Sequence, residues 1–62
     1  MDDTKTVQDA YADELSGLFS VLFRSLAAAG GDKAEEAKAE EAFKSGLAVV
    51  RRARDKALGF VK

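Results

Sequence analysis

Ala27-Ala28-Ala29-Gly30-Gly31-Asp32 is the stretch that decides the fold. On each side of it lies a run of roughly 25 residues with an apolar repeat of helical period. The chain contains no proline to break either run. A glycine just past a helix adopts the left-handed conformation of a C-terminal cap without steric cost. Asp32 followed three residues later by Glu35 reads as a capping box that starts a new helix. The sequence therefore predicts a helix over about residues 5–29, a turn at 30–31, and a second helix over about 32–61. Residues 1–3 read as a frayed acidic tail. Thr4 or Thr6 is the expected cap of the first helix, with Asp9 three residues after Thr6.

The first helix carries Val7, Tyr11, Leu15, Leu18, Leu22 and Leu26 at steps of three and four, with Phe19 and Phe23 beside them. At ~100° per residue these side chains cover an arc of roughly 160°. Val21 falls outside it. The opposite side holds Asp9, Asp13, Ser16, Gly17, Ser20 and Arg24. The second helix has a heptad of the coiled-coil kind: Ala39, Phe43, Gly46, Val50, Ala53, Ala57 and Phe60, spaced alternately four and three. Leu47, Leu58 and Val61 flank it on one side, Ala42 and Val49 on the other. Large residues on the first helix against small ones on the second allow close interdigitation.

Charge is divided along the chain. Residues 1–41 carry ten acids and four bases, a balance of −6; residues 42–62 carry one acid and six bases, a balance of +5. An antiparallel hairpin about the two glycines brings residue i near residue 61 − i, at about one turn's precision. Asp9 is then expected near Arg52, Asp13 and Glu14 near Arg51, and Arg24 near Glu36 and Glu40. Within the second helix, Glu40 precedes Lys44 by the favourable four residues.

The chain has 62 residues, a net charge of −1, and neither cysteine nor histidine. So short a chain buries too little of its own surface to be stable without help. Disulfides are excluded, and the usual transition-metal ligands and neutral-pH base are missing. Self-association is the remaining stabiliser. The expected assembly is a homodimeric four-helix bundle, because one hairpin cannot cover both wide apolar arcs. Its core and interface are expected to comprise Val7, Tyr11, Leu15, Leu18, Phe19, Leu22, Leu26, Phe43, Leu47, Val50 and Phe60.

Four groups of residues suggest chemistry. Arg51, Arg52, Arg54 and Lys56 offer a phosphate-binding cluster for nucleic acid. Their other uses are to pair with the acids of the first helix and to favour a helix C-terminus. Glu35, Glu36, Glu40 and Glu41 lack the alternating oxygen ligands of a calcium loop and read as a solvated first turn. Ser16, Ser20, Ser25 and Ser45 have no adjacent base, so no enzyme activity and no cofactor are expected. The Phe19 and Phe23 side reads as core, since helices that lie on membranes carry Lys and Arg on their polar side. The stretch from Leu15 to Gly31 holds Arg24 and four Ser or Gly residues before the hinge glycines, too many interruptions for a span. Met1-Asp2-Asp3 is acidic where a secretory signal would be basic, and the cytoplasm is the expected location.

The layout, two heptad-bearing helices joined by a short central turn in 62 residues, is similar to the Rop family of plasmid RNA-binding dimers. The resemblance implies a dimeric bundle and RNA binding. In that family the RNA-binding face is basic and polar and is built from the first helix. Here the first helix offers Lys5, Gln8 and Arg24 among Asp9, Asp13 and Glu14, so no site residues carry over. Two functions follow: a non-enzymatic helical interaction module, partnered by itself or another helical protein, and a Rop-like nucleic-acid-binding regulator using the basic cluster.

Overall fold

The computed structural model describes residues 2–61 and contains two helices, α1 (Asp3–Ala29) and α2 (Lys33–Phe60), packed against each other. Gly30 takes φ 57° and ψ 33° as the C-cap of α1, and Gly31 follows at φ 89°. The Asp32 amide donates to the Ala29 carbonyl at 3.0 Å, which closes the turn. A connection this short can join only antiparallel neighbours.

Asp32 caps α2, its Oδ1 accepting from the amides of Ala34 at 2.9 Å and Glu35 at 3.2 Å. The reciprocal half of the capping box is not formed. The Asp32 amide is already used in the turn, and the Glu35 carboxylate instead accepts from Lys38 Nζ at 3.2 Å. At the other end, α1 starts two residues earlier than the sequence predicts. Asp2, not Thr4 or Thr6, is its cap, accepting from the amides of Thr4 and Lys5 at 3.0 and 3.4 Å. Aspartate outranks threonine as a cap, and starting there adds about half a turn. Thr6 then lies inside the helix, its hydroxyl donating to the Asp2 carbonyl. Met1 lies outside the described residues.

The seam between the helices is half-buried along its length. From α1 it contains Val7, Tyr11, Leu15, Leu18, Leu22, Leu26 and Ala29; from α2 it contains Ala39, Phe43, Gly46, Leu47, Val50, Ala57 and Leu58, with Val61 at its C-cap. Ala39 is the most enclosed of the described residues, at 9% exposure. The heptad of α2 holds the seam at Ala39, Phe43, Gly46, Val50 and Ala57 but loses it at Ala53 and Phe60, which are exposed. A straight helix drifts ~20° per heptad against a strict seven-residue repeat. Three heptads therefore carry Phe60 off the seam, and Arg54, Leu58 and Val61 replace it there.

The register also differs from the sequence expectation. Leu18 meets Gly46 and Tyr11 meets Arg54, so residue i faces a residue near 64 − i, not 61 − i. Two effects account for the offset. Asp32 serves as the cap, so the turn is centred on Gly31. Helical side chains also lean toward their own N-terminus, which moves each contact by about one residue on each helix.

With that offset, Asp9 stands level with Asp55 and Arg52 with Ala12. The expected charge pairs between helices do not form: every ion pair among the described residues lies within one helix. They are Lys5–Asp9 at 2.8 Å, Lys38–Glu35 at 3.2 Å, Lys44–Glu41 at 3.9 Å and Arg54–Asp55 at 3.0 Å. Lys44 thus takes Glu41 rather than Glu40. Neighbours three and four apart on one helix are already within reach.

Candidate functional site

The Cα framework measures 45 × 17 × 7 Å. The thickness is that of one layer of helices, and one layer leaves both broad faces of the hairpin uncovered. The surface area is 4774 Å² for a 6.6 kDa chain. A compact monomer of this mass exposes about 3,900 Å², so the hairpin shows roughly 900 Å² more than it should.

The two faces are unlike. Taking ~100° per residue from the seam, Ala10, Gly17 and Val21 of α1 and Ala42, Val49, Ala53 and Phe60 of α2 share one face. Val21 and Val49 are 56% and 54% exposed, and Phe60 is 89% exposed. Two clefts open between the helices on this face. The larger, about 230 Å³, is lined by Val7, Ala10, Tyr11, Glu14, Val50, Ala53, Arg54 and Ala57. The smaller, about 90 Å³, is lined by Leu18, Val21, Leu22, Ser25, Ala39, Ala42 and Phe43. On the opposite face α1 presents Phe19 and Phe23, 62% and 63% exposed. There α2 presents Glu40, Lys44, Arg51 and Asp55 by the same helical spacing.

Nine of the residues expected in the core or interface, Val7, Tyr11, Leu15, Leu18, Leu22, Leu26, Phe43, Leu47 and Val50, lie together on the seam as half-buried side chains. Phe19 and Phe60 do not: a single hairpin leaves both exposed. Val21 and Val49 gain importance over their sequence reading, because both stand on the face that the two helices share.

The basic cluster is not one patch. Successive 100° steps spread Arg51, Arg52 and Lys56 over roughly 140° of the helix surface. All three are exposed and make no ion pair among the described residues. Their stabilisation by the helix end is also weak, since the last turn contains no basic residue and the dipole effect fades within a turn. Arg54 is different. Its side chain is 31% exposed, its Nε donates to Asp55 Oδ1 at 3.0 Å, and its guanidinium carbon lies 4.5 Å from the centre of the Tyr11 ring. The stacking on Tyr11 ties α2 to α1. The sequence signal for it is an aromatic and an arginine at facing positions, which only the 64 − i register brings together.

No group of three or more acidic side chains is placed to hold a metal ion among the described residues. No helix among them is long and apolar enough to cross a membrane. The most extended exposed apolar feature shared by both helices is the face with its two clefts. No protein-family model, curated protein or solved structure matches the chain.

Proposed function

We propose that this chain is a non-enzymatic interaction module that works by self-association, two hairpins joining in a homodimeric four-helix bundle. The observation that carries this reading is the surplus of roughly 900 Å² of exposed surface, which matches the ~800 Å² each partner buries in a standard interface. A closed dimer stacks a second layer on the first and gives the chain the interior that one layer lacks. A cysteine-free chain needs no oxidising compartment, and the cytoplasm is the location we propose for it. Sedimentation equilibrium at micromolar concentration tests the assembly. The expected mass is twice the 6.6 kDa of one chain; a stable, folded species at the single-chain mass contradicts the reading.

A second reading, a Rop-like nucleic-acid-binding regulator, is favoured by one observation. Arg51, Arg52 and Lys56 are exposed and make no ion pair among the described residues. They are thus available to phosphate, although not on a single flat strip. A mobility-shift titration against mixed RNA and duplex DNA at physiological salt tests it, and salt-sensitive micromolar binding is the outcome that supports it.

A further inference from the structure

We infer that the second copy docks on the face that carries the two clefts, with the dimer axis running along the helices, so that α1 of each hairpin lies on α2 of the other. This rests on the self-association proposed above and specifies its surface and orientation. Three observations lead to it.

Both helices contribute apolar side chains to this face: Val21 from α1, and Ala42, Val49 and Phe60 from α2. On the opposite face α2 shows the half-buried Leu47 and Leu58 among the exposed charges of Glu40, Lys44, Arg51 and Asp55. A bundle needs an apolar edge from all four helices.

The charges choose the direction. Residues 2–14 hold five acids and one base, and residues 51–56 hold four bases and one acid, giving −4 and +3. Within one hairpin these segments run side by side, yet no ion pair joins them among the described residues. An axis along the helices sets the acidic segment of α1 beside the basic segment of the other copy's α2 as well. An axis across the helices would instead stack α1 on α1 and α2 on α2, and would take each acidic segment away from the other copy's basic one. Complementary charge of this kind selects orientation and register.

Phe60 gives the third observation. At 89% exposure it is the most exposed large apolar side chain among the described residues. With the axis along the helices, Phe60 of one copy comes level with Thr4 of the other, within a turn of Val7 at the end of the larger cleft. With the axis across the helices it comes level with the charged first turn of α2, whose residues line neither of the two clefts.

The chain has no cysteine, so introduced thiols report on this arrangement without background. Chains carrying Val21→Cys and chains carrying Ala42→Cys are mixed in equal amounts and oxidised mildly, and sedimentation is measured on the unmodified chain. The expected result is a disulfide-linked dimer in which the mixed pair far exceeds the half that random pairing gives. The inference is overturned if Val49→Cys alone links rapidly to itself while the mixed pair does not exceed half, because that pattern means α2 lies on α2. It is also overturned if the chain sediments as a dimer yet neither pairing exceeds chance, because the other face is then the interface. A chain that sediments as a monomer overturns the self-association itself, which separates that failure from a wrong face or axis.

Discussion

The Cδ2 methyl of Leu18 on α1 fills the space that a side chain at Gly46 on α2 would need. A Cβ built at Gly46 would stand 2.6 Å from that methyl. A larger residue at Gly46, at the middle of the seam, would therefore require the Leu18 side chain to shift. Gly17 has no such role in the hairpin, since a Cβ there meets nothing within 4 Å.

The two glycines should therefore respond oppositely to alanine. Gly17→Ala gains the helix propensity that glycine lacks and should raise stability by about 0.5–1 kcal/mol. Gly46→Ala gains the same propensity but pushes Leu18 from its position, a cost of about 1–3 kcal/mol for an overpacked site. The net result should be a loss, or at best no gain. Urea titration followed by circular dichroism measures both. Equal stabilisation by the two substitutions would mean that the Leu18–Gly46 approach does not constrain the seam.

Asp32 and Gly30 fix the turn, and each should be costly to replace. Asp32→Ala removes the acceptor for the Ala34 and Glu35 amides and should cost about 1 kcal/mol. Gly30→Ala forces a Cβ into a left-handed conformation at φ 57° and should cost about 1–2 kcal/mol. Thermal melting of the two variants checks this. Gly30→Asn should recover part of the loss, since asparagine tolerates this conformation better than alanine.

Arg54 stacked on Tyr11 should contribute about 0.5–1 kcal/mol through the ring and more through its buried stem. Arg54→Lys keeps the charge but loses the planar stacking geometry. It should destabilise the chain by a measurable fraction of the Arg54→Ala loss, whereas Arg52→Lys, at an exposed position, should change little. A double-mutant cycle with Tyr11→Leu measures the coupling. Strict additivity would show that the contact carries no energy.

The remaining bases discriminate the two functions. In the interaction-module account, Arg51→Gln with Arg52→Gln leaves helix content and mass unchanged, and the parent chain shifts neither RNA nor duplex DNA at physiological salt. If the parent does bind, the double substitution should weaken binding and flatten its salt dependence. That result would favour the regulator.

Much of the hairpin was legible in the sequence, and the exceptions have physical causes. Gly30, Gly31 and Asp32 carried the turn because each uses a conformation or hydrogen bond that its residue type favours. The α1 stripe from Val7 to Leu26 was legible because its steps follow the helical period. The register was not, because the lean of side chains along each helix does not show in residue spacing. The heptad of α2 misplaced Ala53 and Phe60 for a related reason, since a seven-residue repeat drifts around a straight helix. The charge blocks pointed to pairs between helices, but Lys5, Lys38, Lys44 and Arg54 found acids closer on their own helix. Which face is apolar on both helices depended on the seam direction, so Val21 and Val49 became significant only once that direction was known.

In the proposed assembly this one-layer hairpin acquires its interior by joining a second copy. The most direct test is the melting temperature over a hundredfold dilution series, followed by circular dichroism at the helical bands. Association that stabilises only the folded chain makes that temperature depend on concentration. Self-association predicts a midpoint that falls steadily with dilution, together with loss of helix at the lowest concentrations. A midpoint that stays constant across the series, with full helix content throughout, would contradict it.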